Sequence, residues 1–407
     1  MKPTLLLLAL AFTLHAEDWP QFLGPRRDGS YAGTGLAARW PADGPKILWR
    51  KNVGTGWSGA TVAEGKAILF HRSGNDEIVE CVSAASGKVL WKHSYGSDYR
   101  DQFGKDNGPR STPAIADGRV YTMGAGGVVT ALDFKTGKAL WRVDTARQFR
   151  ASIGFFGLAC SPLVHGKNLL LNIGGENNAG IVAFDTRSGK LRWKTSTDNT
   201  SYSSPMIAKL DGQNRALFFT RAGLEAVAPD TGKTIFKFPW RPAIQASVNA
   251  ATPLVSGNWV FISTSYGKGA AVLATKDDAT ETVWARDGVM SNQYATCVLQ
   301  DGHLYGFHGR ADVGGCELRC VELKTGTVKW SQPGLQSGTV TLAKEDLLVL
   351  TERGELLRAP ANPAGFRPTG RAQILGFNTR AYPALANGLL IARDKNQFIC
   401  ADLRQAE

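Results

Sequence analysis

The fold is decided by Ala131-Leu-Asp-Phe-Lys-Thr-Gly-Lys-Ala-Leu-Trp141, a stretch whose pattern returns along the whole chain. It is typical of a strand, a tight turn and a second strand. Asp133 can accept hydrogen bonds from turn amides, and Gly137 supplies the positive φ angle that the turn needs. Because a strand hairpin alone cannot bury the indole of Trp141, each copy needs a neighbouring copy to pack against.

Two markers recur with this stretch. We expect the aromatic residue that ends each copy to dock between sheets, and these residues are Trp49, Trp91, Trp141, Trp193, Phe236, Trp284 and Trp330. A small or hydroxyl residue opens a β run at eight points spaced by 43 to 53 residues, at Ser58, Ser111, Cys160, Ser203, Ala251, Ala295, Gly338 and Ala381. Four short strands per period of about 40–50 residues are typical of a propeller blade. We therefore predict an all-β fold, an eight-bladed β-propeller with four-stranded antiparallel blades.

Two blades depart from the pattern. The last blade ends with Phe398-Ile-Cys-Ala-Asp402 and has no Trp strand of its own. A matching strand is available at Ile47-Leu-Trp-Arg50, so we predict that the N- and C-terminal strands pair, close the ring and remove an open sheet edge. An open solenoid with capping repeats is the alternative. In the seventh blade we expect the end of the repeat between Ala359 and Phe366.

The chain divides into three expected segments. Residues 1–16 combine Lys2, an apolar run and a small residue at Ala16, which predicts a signal peptide cleaved after about Ala16. Residues 17–46 contain Trp19 and Trp40, which predicts an arm packed on the propeller. Residues 47–407 form the single propeller. We expect an exported, periplasmic or extracellular monomer without a membrane span or lipid anchor, because the apolar run is too short to span a bilayer and no Cys follows it.

Charge and cysteine usage narrow the classes of function. The formal net charge is +12, and Lys88, Lys138, Lys190 and Lys233 each follow a turn glycine. These lysines are either solvated hairpin tips or a basic ring that meets an anionic polymer; an exported protein makes a nucleic-acid partner unexpected. Three of the six cysteines occupy the small core position of the repeat, so we expect neither a disulfide framework nor a metal site.

Strand alternation sorts the loops onto two ends of the ring. The turns within the repeat are short, whereas the loops that cross between blades are long and rich in aromatic, Arg and Asn residues, which is where binding usually occurs on a rigid scaffold. The alternative is that these loops only cover the mouth of the channel. The candidate ligand-binding residues of this face are Trp57, His71, Asn107, Arg110, Asn199, Tyr202, Arg221, Asn249, Tyr266, Lys268, Asn292, Tyr294, His308, Arg310 and Arg380.

Local catalytic motifs are missing from the sequence. There is no dinucleotide fingerprint, phosphate-binding loop, nucleophile elbow or haem-attachment motif. No catalytic residue can therefore be named. A propeller site draws single residues from many blades, so the absence of a local motif does not exclude an enzyme.

The repeat resembles that of the pyrroloquinoline-quinone-like (PQQ-like) repeat family. The pattern Ala-x-Asp-x-x-Thr-Gly-x-x-x-Trp, the opening Trp19-Pro-Gln-Phe-Leu-Gly-Pro and Ser265-Tyr-Gly-Lys-Gly269 carry the resemblance. It implies an eight-bladed propeller of the kind found in quinoprotein dehydrogenases and in BamB-like lipoproteins of the outer-membrane assembly machinery. For the dehydrogenases it implies PQQ beside Ca²⁺, an Asp base and a disulfide between adjacent cysteines. This chain has no adjacent cysteine pair and is shorter than those enzymes.

Two functional hypotheses follow. The first is a non-catalytic exported propeller that binds a protein segment or a polymer on its long-loop face, with no cofactor. The alternative is a PQQ-dependent oxidoreductase acting on alcohols or sugars, in which Arg110, Arg221 or Arg310 would pair with the carboxylates of PQQ. An Asp or Asn from 101–107 or 198–199 would then hold Ca²⁺. A hydrolase with carboxylates at the channel mouth is a third possibility.

Overall fold

The structure, a computed structural model, describes residues 17–405, so the predicted signal peptide of residues 1–16 lies outside the described residues. The first two strands are β1 (Ser30–Tyr31) and β2 (Lys46–Asn52). Blades 1 and 2 contain β3 (Thr61–Ala63), β4 (Lys66–Ser73), β5 (Asp76–Ser83) and β6 (Val89–Gly96), then β7 (Ala114–Ala116), β8 (Arg119–Met123), β9 (Val128–Asp133) and β10 (Ala139–Asp144). Blades 3 and 4 contain β11 (Leu163–His165), β12 (Asn168–Gly175), β13 (Ala179–Asp185) and β14 (Leu191–Thr195), then β15 (Met206–Leu210), β16 (Gln213–Phe219), β17 (Gly223–Val227) and β18 (Thr234–Pro239).

The second half of the ring has the same organisation. Blades 5 and 6 contain β19 (Leu254–Ser256), β20 (Trp259–Thr264), β21 (Gly269–Lys276) and β22 (Ala279–Arg286), then β23 (Val298–Gln300), β24 (His303–Arg310), β25 (Gly314–Glu322) and β26 (Val328–Gln332). Blade 7 contains β27 (Gly338–Ala343), β28 (Asp346–Thr351), β29 (Glu355–Pro360) and β30 (Gly370–Gln373), and blade 8 contains β31 (Ala384–Ala386), β32 (Leu389–Arg393) and β33 (Gln397–Asp402). The described helix α1 (Thr145–Phe149) is short, and no helix within residues 17–405 is long and apolar enough to cross a bilayer.

The eight sheets confirm the predicted β-propeller of four-stranded antiparallel blades, and β1 adds a fifth, parallel strand to blade 7. In each blade the middle strands lie between two neighbouring sheets, so both of their faces are buried. All eight residues of β12 are buried, for example, whereas the outer strand β14 is largely exposed. This explains why the middle strands are apolar on both faces and the outer strands are mixed.

The aromatic residue of one blade contacts the turn of the next. Trp141 Nε1 donates to the carbonyl of Thr186 at 3.1 Å, and a Cβ built on Gly189 would lie 2.8 Å from the same indole. Only a glycine fits under the ring at this distance, and its φ of +70° also favours glycine. The same pairs of indole and turn glycine are Trp49 with Gly87, Trp91 with Gly137, Trp193 with Gly232 and Trp284 with Gly326.

Blades 4 and 5 replace this contact. Phe236 has no N–H group to donate, and the facing turn of blade 5 has Asp277 and Asp278 with positive φ instead of Thr-Gly. Arg215 of blade 4 donates to Asp278 Oδ1 at 2.6 Å and links the two blades. Phe236 in place of Trp and Asp277-Asp278 in place of Thr-Gly therefore belong to the same altered contact between blades 4 and 5.

The ring closes between its terminal strands, as predicted. β2 pairs antiparallel with β33, and Trp49 lies opposite Cys400. Trp49 Nε1 then donates to Ala84 O of blade 1 at 2.8 Å, so the N-terminal strand completes blade 8 and also contacts blade 1. One detail of blade 7 was wrong: its outer strand is β30, because Phe366 packs on Trp330 at a centroid distance of 5.8 Å instead of continuing the sheet.

A belt of side-chain hydroxyls joins the blades around the channel. Thr112 Oγ1 accepts a hydrogen bond from the backbone N–H of Gly59 in the preceding blade at 3.0 Å. The same bond runs from Thr112 N to Ser161 Oγ, from Ser161 N to Ser204 Oγ and from Thr252 N to Thr296 Oγ1, each at 2.9 Å. Hydroxyl residues at these repeat starts therefore satisfy buried backbone N–H groups of the preceding blade.

Residues 17–36 lie across the inner strands at the turn end of the ring. Trp19 forms a bridge with Val62 of blade 1, and β1 pairs parallel with β27 of blade 7. Arg27, only 2% exposed, donates to Pro162 O of blade 3 at 2.8 Å. These residues contact blades on several sides of the axis, so they occupy the centre of the ring.

All six cysteines are buried and unpaired. Burial raises the pKa of the Cys316 thiol to about 11 and that of the Cys81 thiol to about 12. Both thiols are therefore protonated at neutral pH and behave as small core side chains.

Candidate binding face at the long-loop end

The crossing loops at the end opposite the turns form what we call the long-loop face. Between blades 1 to 5 these loops span 97–113, 145–162, 196–205 and 240–253, and the other crossings span 287–297, 333–337, 374–383 and 53–60. Buried or half-buried arginines at the ends of second strands hold them. Arg72 donates to Tyr99 O and to Ser97 O, both at 2.8 Å, and Arg221 donates to Gln245 O at 2.6 Å. The loops are thus fixed at their bases.

Trp57 lies between two arginines at the channel mouth. The guanidinium carbon of Arg110 is 4.8 Å from the indole centroid and that of Arg380 is 5.1 Å away. Each arginine is paired with a buried carboxylate: Arg110 with Asp101 at 2.6 Å, and Arg380 with Glu352 at 2.6 Å. Blades 1, 2, 7 and 8 contribute to this group, which combines an aromatic surface with two partly neutralised cations.

Tyr294 extends the mouth group into blade 6. Its hydroxyl is 2.8 Å from Ser337 Oγ, and its ring centroid is 5.7 Å from the guanidinium carbon of Arg380. Burial and the nearby Glu352 raise the pKa of Tyr294, so the phenol remains protonated and can act only as a hydrogen-bonding group at neutral pH. Arg380 and Glu352 also line an open cavity of about 390 Å³ beside Phe377.

A phenylalanine patch lies beside the mouth, and we define it as the contacting rings of Phe103, Phe155 and Phe156 together with Ile153, which precedes Phe155 by two residues on the same loop. The Phe103 and Phe156 ring centroids are 5.3 Å apart. Tyr202 lies against the patch, and its hydroxyl oxygen accepts hydrogen bonds from Phe155 N at 2.8 Å and Phe156 N at 3.0 Å. Burial raises the pKa of Tyr202 above its usual 10.0, so the phenol stays neutral.

The opposite side of the face has two further cation–aromatic pairs. Lys268 Nζ lies 4.3 Å from the ring centroid of Trp240, and the guanidinium carbon of Arg310 lies 4.6 Å from that of Tyr266. Arg310 is paired with Asp312 and is 30% exposed, so it is partly neutralised. The predicted residues Trp57, Arg110, Tyr202, Arg221, Tyr266, Lys268, Tyr294, Arg310 and Arg380 are thus distributed around one end of the ring, and Asn199 is exposed there.

Other predicted site residues are inside the protein. His71, Asn249 and Asn292 are only 5%, 2% and 1% exposed. His71 Nδ1 accepts from Gly54 N at 3.2 Å, and Asn249 Nδ2 donates to Trp240 O at 3.0 Å. These three side chains hold backbone segments in place, and their part in ligand binding stays a prediction.

Two more predicted residues have local structural contacts. Asn107 is exposed, but its Oδ1 accepts from Asp101 N at 2.8 Å and shapes its own loop. His308 is half-buried, and its Nδ1 accepts from Ser291 N at 2.9 Å. Burial and the nearby Arg319 lower the pKa of His308 to about 4, so this imidazole is neutral at neutral pH.

Sequence reasoning missed Glu352, Ile153 and Phe377. Glu352 follows the second strand of blade 7, the position at which other blades have Arg72 or Arg221, so the repeat register is the signal that could have found it. Ile153 and Phe377 lie in irregular crossings, where no register applies. Their exposure, 37% and 63%, becomes evident only in three dimensions.

The carboxylates proposed for Ca²⁺ are already engaged. Asp101 accepts from Phe103 N at 2.8 Å and from Arg110, and Asp106 accepts from Gly108 N at 2.7 Å and from Gly56 N at 3.2 Å. Within residues 17–405, no three His, Cys, Asp or Glu side chains lie close enough together to hold a metal ion. The donor set of the loop at 101–107 therefore fits loop ordering and does not fit a Ca²⁺-bound quinone.

The second predicted donor segment gives the same result. Asp198 Oδ2 accepts from the hydroxyl of Thr220 at 2.5 Å, and Asn199 points to solvent without a carboxylate partner in the described contacts. Arg221, offered as a partner for the cofactor carboxylates, is occupied by the carbonyls of Gln245 and Ser247. No step of a redox reaction can be derived from these residues.

Comparison with known proteins agrees with the fold. A family model described as "Outer membrane protein assembly factor BamB" matches residues 36–206 and 75–332. BamB of Shewanella oneidensis is 22% identical over 320 residues, covering 76% of this chain and 77% of the relative. The dehydrogenase subunit of the quinone alcohol dehydrogenase of Gluconacetobacter polyoxogenes is 26% identical over 295 residues, covering 67% of this chain; this chain spans 39% of that subunit's length.

Solved structures show the same architecture. BamB from Moraxella catarrhalis superposes with a TM-score of 0.64 at 16% identity, covering 89% of this chain and 99% of that one. The quinohemoprotein alcohol dehydrogenase from Comamonas testosteroni superposes with a TM-score of 0.70 at 12% identity, covering 96% and 81%. At this identity the likeness concerns the fold alone. The family match confirms the resemblance predicted from the repeat: this chain belongs to the PQQ-like repeat propeller family whose model is described as outer membrane protein assembly factor BamB.

Proposed function

We propose that this protein is an exported, non-catalytic scaffold that binds a protein segment or a polymer on its long-loop face. The observation that carries the proposal is the asymmetry of the two ends of the ring. Short turns form one end, whereas the other end has aromatic and cationic side chains from Trp57, Arg110, Tyr202, Lys268 and Arg380 on long loops. Aromatic and Arg side chains are enriched at protein interfaces.

Internal hydrogen bonds hold the loops of this face. Arg72 and Arg221 hold backbone carbonyls of two crossing loops, and Tyr202 holds two backbone N–H groups of a third. Binding to a surface that is already ordered costs less conformational entropy than binding to a mobile loop. This organisation supports recognition better than it supports chemistry, because the titratable side chains at the mouth are used in internal pairs.

Export is part of the same proposal. It rests on the signal-peptide pattern of residues 1–16 and on the relatives, whose names place one of them in outer-membrane assembly. We further propose that the scaffold acts without a cofactor and as a monomer. Fractionation of the source cells tests export: recovery of the chain in the exported fraction, with Glu17 as its first residue, supports the proposal, and a cytoplasmic full-length chain contradicts it.

A PQQ-dependent oxidoreductase is the second candidate. Sequence relatives that are quinone-dependent alcohol dehydrogenases favour it, as does the arginine pair around Trp57. The occupied carboxylates of Asp101 and Asp106 oppose it. Titration of the purified protein with PQQ and Ca²⁺, followed by quinone absorbance, separates the candidates, because saturable binding near one equivalent would favour the enzyme and absence of binding would remove it.

The scaffold proposal is tested by capture with paired variants. The tagged protein, Asn199→Ala and Lys268→Ala would be used to capture components of the exported fraction of the source cells. Lys138→Ala is the matched control, because Lys138 is an exposed lysine on a turn at the other end of the ring. We expect Asn199→Ala and Lys268→Ala to reduce capture and Lys138→Ala to leave it unchanged. Loss of capture only with Lys138→Ala would show that the wrong end was chosen.

A further inference from the structure

The phenylalanine patch is an exposed group of aromatic side chains on the long-loop face, and ring contacts join its members. Phe103 is 53% exposed and Ile153 is 37% exposed, although both belong to loops that have buried neighbours. An aromatic side chain left in water does not gain the stabilisation that its burial would contribute. Contiguous exposed apolar groups with a polar surround are typical of interaction sites.

Hydrogen bonds fix the patch in place from below. Phe103 N donates to Asp101 Oδ1 at 2.8 Å, and the Tyr202 hydroxyl accepts from Phe155 N and Phe156 N. Gly154 has a φ of +62°, and a Cβ there would lie 2.8 Å from the Tyr202 oxygen, so the backbone can approach Tyr202 only with glycine at this position. Hydrogen bonds to the backbone of both loops therefore fix the positions from which these rings extend.

The charges around the patch are mostly of one sign. The two loops that carry it have four exposed cations, which are Arg100, Lys105, Arg147 and Arg150. Their exposed carboxylates are Asp98 and Asp144, the N-cap of α1, whereas Asp101 and Asp106 are buried in hydrogen bonds within their loop.

Contacts with neighbouring groups leave this imbalance in place. Arg150 pairs with Glu176, but both side chains are more than half exposed, and such a pair is weak. The guanidinium carbon of Arg221 adds a further positive charge 5.6 Å from the centroid of Phe155. The surface that surrounds the apolar patch is thus positive.

Resting on the proposed scaffold function, we propose that the partner of this face is a peptide segment that carries apolar side chains among Asp and Glu residues. Its apolar side chains would cover Phe103 and Ile153. Its carboxylates would lie near Lys105, Arg147 and Arg150, where opposite charges speed association and exclude basic partners. An uncharged or basic segment would leave either the rings or the cations without a counterpart.

Synthetic peptides test this proposal on the full mature protein. The probe is a fluorescein-labelled ten-residue peptide of alternating acidic and Phe or Leu residues, measured by fluorescence anisotropy. One matched peptide has Lys in place of the acidic residues, and a second has Ser in place of the apolar residues. We expect saturable binding of the first peptide only. Its binding should weaken as salt is raised from 50 to 300 mM, because salt screens attraction between exposed charges, with a Debye length of about 8–10 Å near physiological ionic strength.

Variants locate the binding site. Phe103→Ser and Lys105→Glu change exposed side chains, and each is expected to weaken binding of the acidic peptide by about fivefold or more. Leu140→Ser is the matched control, because Leu140 is a 45% exposed apolar residue on the outer strand β10, away from the long-loop face. Circular dichroism would establish that all three variants are folded.

Three outcomes overturn the proposal: equal binding of the Lys peptide, no effect of Phe103→Ser, or an equal loss with Leu140→Ser. These outcomes are distinct from a failure of the scaffold function. If capture from the exported fraction depends on Asn199 and Lys268 while the acidic peptide does not bind, the scaffold stands and the partner chemistry is wrong. If the peptide binds at Phe103 while capture depends only on Lys138, the scaffold assignment fails and the chemical preference of the patch stands.

Discussion

Replacement of Gly137 by Ala tests how the repeat holds neighbouring blades together. Gly137 has a φ of +72°, and a Cβ at this position would lie 2.4 Å from Trp91 Cε3 and 2.6 Å from Trp91 Cδ2. Gly118, in another turn of the same blade, has a φ of +69° and nothing within 4 Å of a built Cβ. The two Gly→Ala variants therefore share the backbone strain and differ in the contact with the indole.

The magnitude follows from these distances. Alanine at positive φ costs about 1 kcal/mol, and this is the whole expected loss for Gly118→Ala. Carbon atoms pack at about 3.5–4.0 Å, so Gly137→Ala must displace the indole by about 1 Å. That displacement breaks the 3.0 Å bond from Trp91 Nε1 to Phe134 O. The lost bond and the overpacking add about 2–4 kcal/mol, for a total of about 3–5 kcal/mol.

Guanidinium unfolding measures both variants. The change in the free energy of unfolding would be followed by tryptophan fluorescence and, independently, by far-ultraviolet circular dichroism. We expect Gly137→Ala to be less stable than Gly118→Ala by about 2–4 kcal/mol. Equal destabilisation by the two substitutions would refute the account, because it would mean that the indole does not depend on the glycine beneath it.

The remaining predictions concern buried polar groups. Burial raises the pKa of Glu77 above the usual 4.5, so the folded protein binds this proton more tightly than the unfolded chain does. Stability is therefore lost as pH rises from about 4.5 through the raised pKa, and Glu77→Gln should stabilise the protein at pH 7 relative to pH 4 in thermal unfolding. Glu80, three residues along the same strand, has its pKa lowered to about 2 because hydrogen bonds from His71 and Lys51 outweigh its desolvation. The stabilisation from the Glu80 carboxylate is present above pH 4.5 and is lost as pH falls toward 2. Glu80→Gln should therefore lower the free energy of unfolding by about 3 kcal/mol at pH 7 and by little at the acid end. Effects of the same sign for Glu77→Gln and Glu80→Gln would contradict the opposite roles given to these two carboxylates. Thr112→Val leaves the buried Gly59 N–H without an acceptor and should cost about 1–3 kcal/mol in chemical unfolding, whereas Thr112→Ser should cost clearly less, and equal losses would show that the hydroxyl belt is not required.

The fold could be predicted from the sequence because one contact is repeated around the ring. Each turn glycine, such as Gly137, lies under the indole of the preceding blade, and the Trp four residues later, such as Trp141, packs on the turn of the next blade. Because this spacing recurs along the chain, the blades can be counted from the sequence. The terminal pairing of Trp49 with the strand at 397–402 followed from the missing last strand. Blade 7 was harder, because Phe366 occupies an aromatic position in the sequence but packs on Trp330 outside the sheet.

The site could be predicted only in outline. Loop length identified the richer end of the ring, but the mouth group joins Trp57, Arg110 and Arg380, which come from separate blades and share no local pattern. Burial was the other obstacle. His71 lies on a strand with neighbours on both faces, so its internal contact with Gly54 cannot be inferred from alternation along the strand.

Site-specific photo-crosslinking tests the central claim, that the long-loop face is the binding surface. Benzoylphenylalanine would replace Asn199 on this face and, in a separate variant, Lys138 at the turn end; both are exposed positions. Irradiation in the source cells should give discrete higher-mass adducts from position 199 and none from position 138. Adducts from position 138 together with none from position 199 would contradict the account.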